Sequence, residues 1–312
     1  MFKKNEAEIM KNWNSKIPLL TIAAIAYNHE RFIAAALDSF LMQKTNFPFI
    51  IIIHDDASTD DTTKIVKEYA EKFPNIIKTI IRKENQFTKE PRNAGFKNFF
   101  DDIKTKYMAI CECDDYWTDE NKLQIQFDFL ESNPDYSVCY HDIIWKDEVY
   151  NTTTLQKSSD ASCEDLIKRK VFFHTSSSFF RNVIMPLPYE YNLLKGGDFF
   201  LNSLLGNHGK GKYLPDIKPS VYNRLTTGIT NTDRQTGYVD NFMDKILTHK
   251  YYAKIGKKEY ADYYLDLATN VILTETSFFK LLKYVALRLP QIIKRFLIIN
   301  LPKFLKCFCK KS

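Results

Sequence analysis

Apolar and polar positions along the chain switch repeatedly between two periods. Leu19 to Ala26 is a nearly continuous apolar run that gives way to polar residues at Asn28, the pattern of a strand buried on both faces of a parallel sheet. Phe32/Ile33, Ala36/Leu37 and Phe40/Leu41 then recur at helical spacing. Phe49 to Ile53 predicts a second strand. Ile65, Tyr69 and Phe73 predict a second helix, opened by Ser58 and Asp61 at capping-box offset. Ile76 to Ile81 predicts a third strand, Asn93 to Ile103 a helix, Tyr107 to Cys111 a fourth strand, and Leu123, Phe127 and Leu130 a further helix. This β-α-β-α-β-α-β order, over about 130 residues, predicts an α/β fold with a doubly wound, mostly parallel sheet and right-handed crossovers. Phe172 to Phe180 predicts another strand, and Tyr238 to Ile255 and Glu259 to Leu273 predict a C-terminal helical extension. The chain thus divides into an N-terminal segment (1–16), a main domain (17–235) and a C-terminal helical region (236–312).

Polar chemistry collects where the strands end. Tyr27-Asn28-His29-Glu30 follows the first strand, His54-Asp55-Asp56-Ala57-Ser58-Thr59-Asp60 the second, and Cys111-Glu112-Cys113-Asp114-Asp115-Tyr116-Trp117 the fourth. Open α/β sheets bind ligands in the crevice at these carboxyl ends, so the three turns are expected to face one site. Packed carboxylates raise each other's pKa and persist mainly where a cation neutralises them. Glu112, Asp114 and Asp115 therefore suggest a divalent ion held by one or two carboxylates and completed by substrate phosphates. Taken alone, a solvated turn capping the helix near Asp119 explains them equally well. Neither GxGxxG nor GxxxxGK[ST] occurs, so a diphosphate would need this metal and cations such as Lys89 or Arg92. An EF-hand reading of Asp56-x-Ser58-x-Asp60 fails because its sixth and twelfth positions are Asp61 and Lys67. A phosphatase-type reading fails because Ser58 stands where a second Asp is needed.

Composition narrows the class further. The 45% hydrophobic and 26% charged fractions are those of an ordinary folded protein. The net charge of +6 sits in the tail. After Glu275 no acid occurs, while nine cations follow from Lys280 to Lys311. The rest is slightly acidic, so no nucleic-acid partner is expected. The six cysteines show no disulfide framework and no CxxC pair, and Cys111 and Cys113 suggest small buried fillers. Met1 to Lys16 has no uninterrupted apolar core and no run reaches the ~20 apolar residues of a membrane span, so an intracellular location is expected. Phe278 to Phe308 interleaves apolar residues with Lys and Arg around Pro290 and Pro302, which suggests an interfacial helix on anionic lipid rather than a coat on the body.

Together the motifs resemble the inverting glycosyltransferases of family 2, which share a nucleotide-diphospho-sugar transferase fold of the A type. Tyr27-Asn28 resembles the family's YN element, Asp55-Asp56-Ala57-Ser58-Thr59-Asp60 its DDxSxD turn, and Glu112-Cys113-Asp114-Asp115 its DxD sequence with Glu in first place. Gly197-Asp198 resembles the motif that supplies the catalytic base, and the likeness spans roughly residues 17 to 230. The resemblance implies a nucleotide-sugar site built from Ala26, Tyr27, Asn28, Glu30, Asp55, Asp56, Lys89, Arg92, Glu112, Cys113 and Asp114. Within it Asp56 would hold the base, Asp55 would support that turn, and Glu112 would meet the ribose directly or through water. Mn²⁺ or Mg²⁺ would be taken by Asp114, with Asp115 a close competitor, and Asp198 would be the catalytic base unless it serves only as a helix cap. The family's late Tyr-Arg-x-His is here Tyr222-Asn223-Arg224-Leu225, so no metal histidine is assigned. Trp117, His174 and Thr175 are acceptor-side candidates, Trp117 for stacking on sugar, although a lone histidine such as His174 or His141 is more often a satisfied core residue. The expected activity is metal-dependent inverting transfer from a nucleotide sugar, with UDP favoured, to a glycan or lipid-linked acceptor of a bacterial surface polysaccharide such as lipopolysaccharide or capsule. The enzyme would sit on the cytoplasmic face of the inner membrane through its tail. A nucleotidyltransferase, or a nucleotide-sugar-binding protein without turnover, is the alternative.

Overall fold

The computed structural model describes residues 3–87, 94–194, 197–226 and 237–275 of the chain. A short helix α1 (Glu6–Met10) precedes four strand–helix units: β1 (Leu20–Ala26) with α2 (Ile33–Leu41), β2 (Phe49–Asp55) with α3 (Thr62–Lys72), β3 (Ile77–Ile81) with α4 (Ala94–Asp101), and β4 (Tyr107–Ile110) with α5 (Lys122–Ser132). There follow β5 (Tyr136–Tyr140), β6 (Ile143–Asp147), β7 (Thr152–Gln156), α6 (Cys163–Ile167), β8 (Phe179–Arg181), α7 (Gly197–Leu205), β9 (Lys210–Tyr213) and β10 (Ser220–Arg224). Two longer helices, α8 (Gly237–Lys254) and α9 (Lys258–Glu275), close the described chain.

The main sheet runs β3-β2-β1-β4-β8-β5-β9, and a second sheet runs β10-β6-β7. Strands β3, β2, β1 and β4 are parallel, in the order that right-handed crossovers produce, while β8 is antiparallel to both β4 and β5. Leu20, Ile22 and Ala24 pack with Ile33, Leu37, Val66 and Tyr69 of α2 and α3 on one face. Ala23 packs with Phe96, Phe99, Leu201 and Leu204 of α4 and α7 on the other. Burial on both faces is why β1 is apolar without alternation. Register sets Ala26 beside Asp55, so the polar turns after β1 and β2 emerge side by side.

Two local expectations are corrected. The capping box at Ser58 and Asp61 does not form: α3 starts after Asp61 with no side-chain cap, and the Ser58 hydroxyl donates instead to Asp55 Oδ1 at 2.6 Å. The strand expected over Phe172–Phe180 is reduced to β8, because Thr175–Ser177 turns in a 3-10 helix. There the Ser177 and Ser178 hydroxyls bond the His174 and Thr175 carbonyls, each at 2.8 Å. Such local bonds compete with a β-ladder, and a run of three serines and a threonine supplies them densely.

Both ends of the described chain dock on the body. The Glu6 carboxylate accepts the Asn75 and Ile76 backbone N–H groups at 2.7 and 3.1 Å. The helices α8 and α9 close a small core of Ile167, Tyr252, Ala261 and Tyr264, with the Tyr264 hydroxyl donating to the Ile167 carbonyl at 2.6 Å. Among the described residues no helix is long and apolar enough to cross a membrane. The basic stretch Phe278–Phe308 lies outside the described residues.

Candidate functional site

The turns after β1 and β2 are laced into one unit. Asn28 stands in the left-handed region at φ 57°, which Asn tolerates, and Ala57 at φ 64° turns the chain sharply after Asp56. The Ser58 hydroxyl accepts from Asn28 N–H at 3.0 Å, and the Asn28 side chain accepts from Thr59 N–H at 2.8 Å. Glu30 N–H donates to Asp60 at 3.1 Å while the Glu30 carboxylate accepts from Asp61 N–H at 3.0 Å. Burial pushes the Asp60 carboxyl up, but bonds from Thr62 and Glu30 outweigh it and hold the group below its ordinary range. Asp55 is buried and accepts from Ser58 and Thr63. These acids build the turn.

Asp56, expected to hold the base, is 1% exposed and accepts the Gln86 and Phe87 backbone N–H groups at 2.7 and 3.0 Å. Its carboxylate here tethers the segment leading out of β3, while its own N–H donates to the Ala26 carbonyl at 2.9 Å, at the end of β1. Lys89 and Arg92 lie outside the described residues.

The acids after β4 are different, because they are packed together with few donors. Burial, then the neighbouring Asp114 charge, raises Glu112, whose carboxylate accepts the Thr175 hydroxyl at 2.8 Å. Burial lifts Asp114 to about 6. Asp115 is 1% exposed and pushed well above the usual carboxylate range by burial and by Asp114 and Glu112. Asn223 of β10 holds both: its N–H donates to Asp115 Oδ1 at 2.9 Å and its side-chain amide to the Asp114 carbonyl at 2.5 Å. Among the described residues, Asp115 Oδ2 has no hydrogen-bond partner. Two histidines flank the pair, His29 Nε2 at 3.8 Å from Asp114 and His174 Nδ1 at 3.7 Å from Asp115. Burial lowers each to about 4, so both are neutral at neutral pH.

Asp198 lies in the first turn of α7, one residue inside the helix, and not at the cap position. Burial raises its carboxyl; Glu112 adds to the rise while His174 and Arg169 oppose it. Those neighbours place Asp198 within Coulombic reach of the β4 acids. Gly197 before it is required by packing, since a Cβ there would meet the Tyr191 ring at 2.8–2.9 Å.

The structure thus brings Ala26, Tyr27, Asn28, Glu30, Asp55, Asp56, Glu112, Cys113, Asp114, Asp115, His174, Thr175 and Asp198 to the carboxyl ends of β1, β2 and β4 and the adjacent turns. Trp117 is a correction. The ring is 2% exposed, its Nε1–H donates to the Ser176 carbonyl at 2.7 Å, and it packs on Phe40 and Lys122, so it cannot stack on a sugar. It braces the turn that carries His174 and Thr175. His141 is the satisfied core histidine expected, bonded to the Asp142 carbonyl at 2.8 Å. Sequence reasoning passed over Asn223 as a departure from a motif, although that departure occupies the spot where β10 meets the acidic turn.

Among the described residues no group of three or more His, Cys, Asp or Glu side chains is arranged to hold a metal ion. The donor chemistry fits one that brings further ligands with the substrate. Two adjacent carboxylates and one buried oxygen without a partner suit a hard cation that keeps waters and phosphate oxygens as its other ligands.

Comparison with known proteins places this arrangement. The profile of glycosyl transferase family 2 matches residues 21–185, just over half of the chain. An uncharacterized protein of Mycobacterium bovis is 34% identical over 223 residues, 69% of this chain and 62% of the relative, so the chain spans under two thirds of that relative's length. The minor teichoic acid biosynthesis protein GgaA of Bacillus subtilis is 29% identical over 114 residues, 36% of this chain and 25% of its own. Among solved structures, S. aureus TarS 1-349 in complex with UDP superposes with a TM-score of 0.52 at 18% identity, covering 73% of this chain and 64% of that one, a likeness of fold. The chain belongs to glycosyltransferase family 2.

Proposed function

We propose that the protein transfers a sugar from a nucleotide-diphosphate donor to an acceptor hydroxyl with inversion, in the synthesis of a bacterial surface polysaccharide. The observation that carries this reading is the sorting of carboxylates. Those after β2 are taken up by backbone and hydroxyl donors, whereas Asp114, Asp115, Glu112 and Asp198 stay raised by burial with few partners among the described residues. Clustered, perturbed groups at the carboxyl ends of a parallel sheet are the mark of a functional site. TarS, which binds UDP in the structure to which this fold is similar, supports UDP as the nucleotide, and the relationship to GgaA supports a surface-glycan acceptor.

In this reading the turn of Tyr27, Asn28 and Asp55 shapes the nucleotide pocket, and Glu112 meets the ribose. Mn²⁺ or Mg²⁺, held by Asp114 with Asp115 beside it, would supply Lewis-acid stabilisation of the leaving diphosphate. Asp198 accepts the proton of the acceptor hydroxyl as that oxygen bonds to the anomeric carbon, and the bond to the diphosphate oxygen breaks on the opposite face. His174 and Thr175 border the acceptor side. The basic tail holds the enzyme against anionic lipid on the cytoplasmic face. A thermal-shift screen of nucleoside diphosphates, with and without Mn²⁺, tests the donor assignment, since a ligand that binds only the native state raises Tm. UDP with Mn²⁺ should give the largest rise. No shift with any nucleotide would overturn the reading.

A further inference from the structure

The turns that end β1 and β4 are fastened to each other. Cys113 N–H donates to the Ile25 carbonyl at 2.9 Å, so the residue before Asp114 is tied to the last turn of β1. On the β1 side His29 is held by its backbone. Its N–H donates to the Thr62 hydroxyl at 2.8 Å, and its carbonyl accepts the Phe32 and Ile33 N–H groups, each at 2.9 Å, where α2 begins. The ring itself is tied to nothing. Nδ1 is buried and meets no partner among the described residues, and Nε2 stands 3.8 Å from Asp114 Oδ2, too far for a hydrogen bond.

That spacing suits one ion between two ligands. Metal bonds of about 2.1 Å to nitrogen and to oxygen bridge a gap of up to about 4.2 Å. The His29 and Asp114 side chains keep 16% and 20% of their exposure, so both donors can be reached from the crevice. Beside them, Asp115 Oδ2 is buried without a partner among the described residues, which leaves a further carboxylate oxygen for a cation or its waters. His174 is the rival, with Nδ1 3.7 Å from Asp115 Oδ2. That nitrogen, however, meets the Ser176 N–H at 3.3 Å and the Ser176 hydroxyl at 2.9 Å, and the ring lies against Tyr222 with 4.3 Å between centroids. A lone pair that accepts an N–H cannot also bind a metal. His29 Nε2 carries no such bond among the described residues.

We propose that His29 is a metal ligand in this chain, binding Mn²⁺ through Nε2 together with an Asp114 carboxylate oxygen. This rests on the reading of Asp114 as a metal ligand. The ion then joins the β1 turn to the β4 turn, and donor phosphates and water complete its shell. Such a site discriminates between metals. An imidazole nitrogen suits transition ions, whereas Mg²⁺ takes oxygen ligands and gives up its waters reluctantly. His29 therefore tilts the site toward Mn²⁺ over Mg²⁺.

Pulsed electron paramagnetic resonance of Mn²⁺ reads this ligand directly, because a bound imidazole nitrogen couples to the electron spin. Spectra are taken on the full chain with Mn²⁺ and UDP, against Mn²⁺ with UDP alone. Four proteins are compared: wild type, His29→Ala, His29→Gln and His174→Ala. Nitrogen coupling should be present in wild type and His174→Ala and missing from both His29 variants. Calorimetry in the presence of UDP should show Mn²⁺ affinity falling about tenfold or more in those variants, and Mg²⁺ affinity falling less. Because the ring makes no hydrogen bond among the described residues, both should melt close to wild type in EDTA. Bound Mn²⁺ without nitrogen coupling in wild type would overturn His29 as a ligand and leave Asp114 in place. Coupling that survives in His29→Ala, or that vanishes in His174→Ala instead, would overturn it too. If Mn²⁺ fails to bind wild type even with UDP, the metal reading of Asp114 falls, and this ligand with it.

Discussion

Asp198, the base proposed above, lets binding and chemistry be separated at the level of a single residue. A base acts mainly in the transition state, so Asp198→Asn should lower kcat by ~10²–10⁴-fold with donor affinity nearly unchanged. Stopped assays with calorimetry alongside read both quantities. The carboxyl must be ionised to work, and burial raises its pKa, so activity should disappear as pH falls through a value above the ordinary ~3.9 of Asp. An acidic limb at or below that ordinary value would contradict the buried base. Asp114 gives a second test. Its folded pKa of about 6 exceeds the unfolded ~3.9, so its charge destabilises the metal-free protein as pH rises through 6. Asp114→Asn should therefore melt higher than wild type at pH 7.5 in EDTA, with the gap closing by pH 4. A lower Tm for the variant at pH 7.5 would show that Asp114 has partners that stabilise its ionised form. The sequence made every one of these acids visible but could not rank them. Asp56 and Asp115 look equally eligible in a string of letters, and only the backbone donors at Gln86 and Phe87, against the partnerless Asp115 Oδ2, tell them apart.

Elements decide how firmly those residues are aimed. The start of α7 approaches Tyr191 so closely that Gly197→Ala must shift either the ring or the helix, since the new Cβ would lie 2.8 Å from the Tyr191 hydroxyl oxygen. We expect a stability loss of about 1–3 kcal/mol, typical of overpacking. Because Asp198 is the next residue, transfer should fall more steeply than Tm suggests. Urea melts paired with initial rates check this, and full activity in the variant would show that the close approach does not aim Asp198. The parallel strands β1 to β4 were legible because burial on both faces writes continuous apolar runs. The 174–178 segment was not, because its aromatic flanks mimic a strand while its hydroxyls turn the backbone. Strand β10 was legible only as a motif gone astray, since its role arises from Asn223 reaching Asp114 and Asp115 across more than a hundred residues of sequence.

Across the whole molecule, the sheet order β3-β2-β1-β4 brings three turns far apart in sequence to one crevice, within the residues that the family 2 profile matches. A strand at β8 was legible, but its antiparallel insertion between β4 and β5 was not, because the apolar pattern of a strand does not name its neighbours. The nine cations after Glu275, with no acids among them, should bind anionic membrane, and this binding should weaken as the Debye length shrinks from ~10 Å at 0.1 M salt to ~3 Å at 1 M. The full chain should sediment with anionic liposomes at low salt, and a chain ending at Thr276 should not; equal partitioning would make the tail a helical coat. The most direct test of the central claim is calorimetric titration of UDP into wild type and Asp114→Asn, each with and without Mn²⁺. The account expects Mn²⁺ to tighten UDP binding to wild type, and the variant to lose that gain while keeping its metal-free affinity. Equal affinity in all four titrations, or no UDP binding in any, would contradict it.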